Sequence, residues 1–307
     1  MNYFPNSIKK VAVIAPAGRV DQEKLAIGLA FLEGQGLEYV VGQSCYSEFR
    51  YLAGSDDLRA EELESFWCRN DIDAVLCARG GYGTMRLFGR LDWEKMARFS
   101  NVLVGHSDIT ALHCAFASQG LSSSISGVMV AAEMSRENDK MTAKTLYKSF
   151  SDDVGYDFFE GQVCDVLKPG NVKGMVYPVT LSVLSYLLHT DYLPDFRGAI
   201  LVIEDVNEAA YKLDCFLTQL ASAGILAELG GLIYGNFSGD LDEGDLLAVE
   251  EEFAMKINGP VCRLRSFGHC LPRLNLPFGQ AMKLTLSDDL GEMSMTLCGN
   301  ELDNYLS

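Results

Sequence analysis

The sequence predicts an α/β protein of two domains: an N-terminal doubly wound parallel sheet, then a C-terminal mixed α/β domain. Three observations predict it. Short apolar runs alternate with helix-like segments from Val11 to Phe116. A polar stretch, Ser135 to Lys140, then breaks that rhythm, and a different pattern follows. The length, 307 residues, exceeds what one core commonly organises. The expected boundaries are 1–135 for the first domain, 136–165 for a helix plus linker, and 166–307 for the second domain.

In order, Val11–Ala15 reads as a buried strand and Gln22 to Gln35 as a helix closed by Gly34 and Gly36. Leu37–Val41 is a second strand. Ala60–Cys68 is a helix with early glutamates, which suit the positive end of a helix dipole. Ala74–Cys77 is a strand running into Arg79-Gly80-Gly81-Tyr82-Gly83, and Thr84–Phe88 starts another helix. Asn101–Val104 is the strand before Ser107. In the second half, Val163–Leu167 and Val172–Val176 read as strands separated by Pro169-Gly170-Asn171. Leu181–Leu188 is a helix, and Ala199–Ile203 a strongly buried strand ending at Glu204-Asp205. Tyr211–Ala223 is an amphipathic helix, Leu232–Tyr234 a strand and Asp245–Ile257 a helix. Two more strands are expected near Lys283–Leu286 and Ser294–Leu297.

Composition narrows the function. The net charge is −17, so nucleic acid and anionic membranes are poor partners, because both repel an acidic surface. No apolar run is long enough to span a bilayer. Lys9-Lys10 precedes an apolar run, but Pro16 and Gly18 interrupt it too early for a signal peptide. The nine cysteines form no CxxC pair and no metal-ligand spacing, which predicts reduced thiols, a cytoplasmic location and no metal.

One stretch carries a chemical signal: Val102-Leu103-Val104-Gly105-His106-Ser107-Asp108-Ile109-Thr110. A β-branched run, a glycine, a serine and a helix are the layout of a nucleophile elbow. The turn exposes the serine hydroxyl, and the first amides of the helix face whatever it attacks. A serine nucleophile needs a base, usually a histidine oriented by a carboxylate. Among four histidines, His106 adjoins Ser107 and should project elsewhere, His113 lies inside the helix, and His189 ends another helix. His269, in a loop after a strand, is the best-placed base. Glu204, Asp205 and Glu208 are the carboxylate candidates; Glu204 gains rigidity from its strand, and Asp205 equally suits a helix cap. The Arg79–Gly83 loop reads as an oxyanion hole, an anion cradle or a tight turn. It matches neither a P-loop nor a dinucleotide fingerprint.

Taken together, these motifs resemble the LD-carboxypeptidase family of serine peptidases. The likeness runs in order through Gly54-Ser55-Asp56-Asp57-Leu58-Arg59, Arg79–Gly83, Gly105–His113, Gly198–Glu208, Tyr211-Lys212-Leu213-Asp214, Gly268-His269 and Leu276-Pro277-Phe278-Gly279. The resemblance implies a triad split between the domains, with the active site at their interface: Ser107 as nucleophile, Glu204 and His269 from the second domain. It implies an oxyanion hole from the amide of Asp108 and one from Gly80 or Gly81, and no cofactor. Recycling members of the family are cytoplasmic, commonly homodimeric, and remove the terminal D-alanine of murein tetrapeptide. A branch resembling the microcin C immunity proteins cleaves peptidyl or aminoacyl nucleotides. A carboxypeptidase must also recognise a free carboxylate, for which Arg79 is the nearest candidate by sequence.

The sequence departs from the family pattern at three places. Ser126-Gly127-Val128 stands where the family often has His-Gly-Pro, and Pro178-Val179-Thr180-Leu181 where it often has Gly-Gly-Asn-Leu. Cys215 follows Asp214 where an arginine is common. The triad survives these changes, so the substrate is the part they bear on.

Overall fold

A computed structural model describes residues 1–121, 124–136, 139–151, 153–287 and 293–298. The chain forms two compact units. The first comprises Met1–Ser151, with His189–Pro194 and Asn275–Pro277; the second comprises Asp152–Leu188, Asp195–Leu274 and Phe278–Ser307. The sequence boundary at 135 lies ahead of this division because the helix in the expected 136–165 segment packs into the first core: its Ala143 and Leu146 belong to that cluster.

In the first unit the order is β1 (Lys10–Ile14), α1 (Gln22–Gly34), β2 (Glu38–Val41), α2 (Asp56–Trp67) and β3 (Ala74–Cys77). It continues with α3 (Trp93–Met96), β4 (Val102–Gly105), α4 (Thr110–Ser118), β5 (Ser124–Ser126) and α5 (Lys140–Ser149). The second unit contributes β6 (Asp165–Lys168), β7 (Gly170–Thr180), α6 (Leu181–Tyr186), β8 (Ile200–Val206) and α7 (Ala210–Ser222). It adds α8 (Ile225–Glu228), β9 (Gly231–Ser238), α9 (Glu243–Ala254) and β10 (Val261–Arg263). Last come β11 (Leu276–Phe278), which joins the first sheet, and β12 (Gln280–Leu286) and β13 (Met293–Leu297) in the second.

The first sheet has the order β11-β5-β4-β3-β1-β2. β2, β1, β3, β4 and β5 pair in parallel. Helices cover such a sheet on both faces, so its central strands β1, β3 and β4 are largely apolar. Val11, Val13, Leu76, Val104 and Ile125 are buried accordingly. Each such side chain contributes about 1.5–3 kcal/mol on burial. The second sheet, β13-β12-β7-β8-β9-β10-β6, is mixed: β7 to β10 run parallel, while β12 pairs antiparallel with β7 and β13, and β6 with β10.

Three local differences from the sequence reading have plain causes. α2 begins earlier than Ala60 because Ser55 caps it, its Oγ accepting from Leu58 N at 3.2 Å. The segment from Thr84 is a 3-10 helix to Arg90, not an α-helix. β5 and β11 are three-residue strands, too short for a readable period.

Candidate active site

The first group of candidate residues lies in the first unit. β4 ends at Gly105, where a Cβ would sit 3.0 Å from both Cys77 Cβ and Ile109 Cγ1, so a side chain there would press on both. Ser107 then adopts φ +63°. A non-glycine residue held there costs about 1–3 kcal/mol, so neighbouring contacts must hold it. Ile109 N–H donates to His106 O at 3.2 Å. His113 Nε2 donates to Gly105 O at 2.8 Å. Thr84 clamps the next residue twice: its N–H donates to Asp108 Oδ2 at 2.9 Å, and its Oγ1 to Asp108 O at 2.7 Å. Burial pushes the Asp108 carboxyl above its ordinary value, and the Thr84 donors oppose that rise. His106 turns away, as its sequence position suggested, and its Nε2 meets Glu133 Oε1 at 3.1 Å.

The glycine loop lies against this turn. A Cβ on Gly80 would stand 2.7 Å from Ser107 Cβ and 3.0 Å from its Oγ. Gly80 O accepts from Gly18 N and from Arg79 Nε, each at 3.2 Å. A trans peptide sets its C=O and N–H on opposite sides, so the Gly81 N–H points the other way. Gly81 and Gly83 have φ of +120° and +129°, which side chains other than glycine rarely adopt. The buried Arg59 guanidinium fixes the loop's far end, donating to Gly83 O at 3.0 Å and to Pro16 O. Arg79 is half-buried; besides Gly80 O, it donates from Nη1 to Arg19 O at 2.9 Å. Two of its donors therefore hold main chain.

The second group lies in the second unit. Thr180 on β7 and Glu204 on β8 are register partners, so their side chains share a face of the sheet. Thr180 Oγ1 donates to Glu204 Oε1 at 2.5 Å. His269 Nδ1 meets the other oxygen, Oε2, at 2.7 Å. Gly268, at φ +133°, lets the histidine loop close: a Cβ there would be 3.1 Å from Glu204 Oε2. Buried Arg273 donates to Gly268 O and lies 5.3 Å from the Phe267 ring. Full burial works against ionisation of Glu204, but His269, Arg273 and Thr180 outweigh it and hold its carboxyl below the ordinary value. Asp205 behaves oppositely. Burial, followed by the charge of Glu204, pushes it up to about 6. Its Oδ2 caps α6, accepting from Ser182 N at 2.7 Å, and its Oδ1 accepts from Val206 N, the next residue of its own strand, at 2.9 Å. Adjacent carboxylates driven apart in this way differ in role: one is kept ionised beside a histidine, the other serves the backbone.

The structure thus brings Gly80 to Ser107 and Glu204 to His269. Glu208 is half-buried and His189 exposed. Neither Thr180 nor Arg273 carries a site signal of its own in the sequence. Thr180 was visible only as a departure from the family pattern, and Arg273 only as one arginine in a loop.

Models of the LD-carboxypeptidase N-terminal domain and C-terminal domain match residues 11–127 and 173–284. A probable murein peptide carboxypeptidase of Bacillus subtilis is 31% identical, covering 91% of this chain and 90% of its own. The chain belongs to the LD-carboxypeptidase family. It is accordingly a serine-type hydrolase with carboxypeptidase function. Murein tetrapeptide carboxypeptidase of Pseudomonas aeruginosa is 30% identical, covering 90% of this chain and 92% of its own. The solved structure of muramoyltetrapeptide carboxypeptidase from Oxalobacter formigenes superposes with a TM-score of 0.83 at 26% identity, covering 94% of this chain and 99% of that one. Among the described residues, no helix of this family member is long and apolar enough to cross a membrane, and no cluster of three or more His, Cys, Asp and Glu is arranged to hold a metal ion.

Proposed function

We propose that this enzyme releases the terminal D-alanine of murein tetrapeptide by hydrolysing an L,D-amide bond through Ser107, His269 and Glu204. The observation that carries the reading is the 2.7 Å contact between His269 Nδ1 and the buried Glu204 carboxylate. With Nδ1–H donating to Glu204, the ring presents a basic Nε2. That nitrogen takes the Ser107 proton as Oγ attacks the scissile carbonyl. The amides of Asp108 and of Gly80 or Gly81 donate to the developing oxyanion from fixed positions, so no reorganisation is needed during the step. The imidazolium then gives its proton to the leaving nitrogen, D-alanine departs, and the acyl group remains on Ser107. Water, deprotonated by the same histidine, hydrolyses that ester and restores the hydroxyl. Arg79 contributes positive charge for a substrate carboxylate.

The reading places the enzyme in the cytoplasm, acting on recycled murein fragments as a homodimer. Mass spectrometry of tetrapeptide incubated with the protein tests the chemistry. Loss of one D-alanine, absent with Ser107→Ala, is the expected result. An untouched tetrapeptide alongside cleavage of an aminoacyl nucleotide would instead assign the same mechanism to the other family branch, a reading that the Pro178–Thr180 departure favours.

A further inference from the structure

An open pocket of about 490 Å3 lies beside the glycine loop, within the first unit, lined by Gly18, Arg19, Tyr51, Arg79, Gly81 and Tyr82. Its volume suits a peptide segment rather than a lone carboxylate group. The wall carrying Tyr51 is fixed by main chain. Phe49 and Leu52 exchange hydrogen bonds at 2.9 and 3.0 Å across a tight turn. That turn is latched to the pocket floor, because Arg19 N–H donates to Tyr51 O at 3.2 Å and Ala53 N–H to Ala17 O at 3.1 Å. The exposed Tyr51 and Tyr82 rings lie 5.9 Å apart. The cationic groups are held differently. Arg79 is anchored through Nε and Nη1, whereas the Arg19 side chain is 60% exposed and only loosely paired, 3.9 Å from Glu48. An exposed pair at that distance contributes little and yields readily to a better carboxylate partner. Two guanidinium groups in one pocket also run against the chain's net charge of −17.

We infer that this pocket is a substrate subsite for carboxylates away from the scissile bond, with Arg19 as a specificity-determining residue and Tyr51 and Tyr82 flanking the peptide. The preferred substrates are then acidic peptides, and amidation of their non-terminal carboxylates weakens recognition. The inference rests on the peptide-hydrolase reading above. Titration calorimetry on full-length Ser107→Ala protein tests it, since that variant leaves the peptide uncut. Murein tetrapeptide is compared with the same peptide amidated at its non-terminal carboxylates. The free acid is expected to bind about 10- to 100-fold more tightly. Adding Arg19→Gln should remove most of that preference and leave the affinity for the amidated peptide unchanged. Equal affinities for the two peptides, an equal loss for both in Arg19→Gln, or no binding of either would overturn the subsite. Turnover by the wild-type protein is read separately, so the subsite can fail while the Ser107 chemistry stands. The reverse outcome, an intact acid preference without D-alanine release, would fail the function and not the subsite.

Discussion

Ser107 and Glu204 both sit at the carboxyl ends of parallel strands, yet each is held against a different opposing force. At Ser107 the opposing force is conformational: φ is +63°, and hydrogen bonds from Thr84 and His113, with the missing side chain of Gly80, keep the turn in place. At Glu204 the φ is not strained, although the register with β9 shifts between Ile203 and Asp205, and the opposing force is desolvation of a fully buried charge. Thr180, His269 and Arg273 hold that charge. On the proposed mechanism, the Ser107 side should therefore fail through shape, and the Glu204–His269 side through charge and proton affinity.

The largest expected effect belongs to the charge side. Glu204→Gln preserves volume but removes the negative partner of His269, and kcat should fall about 10^4-fold with KM little changed. Steady-state kinetics on the tetrapeptide checks this; a loss below tenfold would remove Glu204 from the mechanism. The shape side follows. Gly80→Ala introduces a Cβ 2.7 Å from Ser107 Cβ, so serine or loop must move. Displacement by a fraction of an ångström should lower kcat about 10^2-fold. Gly89→Ala, where a Cβ meets nothing within 4 Å, is the matched control and should leave kcat unchanged. Equal effects at the two glycines would break the shape argument.

The two sides also differed in legibility. The strand-glycine-serine-helix order around Ser107 is local, so the elbow was readable within nine residues, Val102 to Thr110. Glu204 was readable as a strand end, and His269 emerged by elimination among four histidines. What holds them was not readable. Thr180 reaches Glu204 only through the β7–β8 register, which depends on strand pairing and not on spacing along the chain. Arg273 is an arginine with 0% exposure, contrary to the usual expectation for its type. The same limit hid β11. Asn275 ties it to the first unit by accepting from Val128 N at 2.9 Å and donating from Nδ2 to Thr142 O at 2.9 Å, across more than a hundred residues of sequence.

Thr180 allows the charge argument to be sharpened. Thr180→Val keeps the shape and removes the donor to Glu204 Oε1. A hydrogen bond to a charged group contributes about 1.5–3 kcal/mol, so kcat should fall about 10- to 150-fold. Without that donor the Glu204 carboxyl titrates higher, and the acid limb of the kcat/KM profile should move to higher pH. Thr180→Ser should restore both. A uniform loss in Val and Ser variants, with no movement of the acid limb, would mean that Thr180 only fills space.

The remaining effect is on stability, and it separates the two adjacent carboxylates. Asp205 is raised from 3.8 to about 6 by burial and by the Glu204 charge. A carboxyl raised in the folded state binds protons more tightly there than in the unfolded chain. Its stabilising contribution is complete below the unfolded value and is lost as pH rises through about 6. A rise from 3.8 to about 6 corresponds to about 3 kcal/mol at most. Glu204, held low, has the opposite sign: its contribution is present above the unfolded value and is lost on acidification. Asp205→Asn keeps an acceptor for Ser182 N and removes the titration. Urea unfolding of both proteins from pH 4 to pH 7 should therefore show wild type losing stability relative to Asp205→Asn as pH rises. Parallel curves would mean that Asp205 is ionised throughout that range, and that the hydrogen bonds from Ser182 and Val206 outweigh its burial.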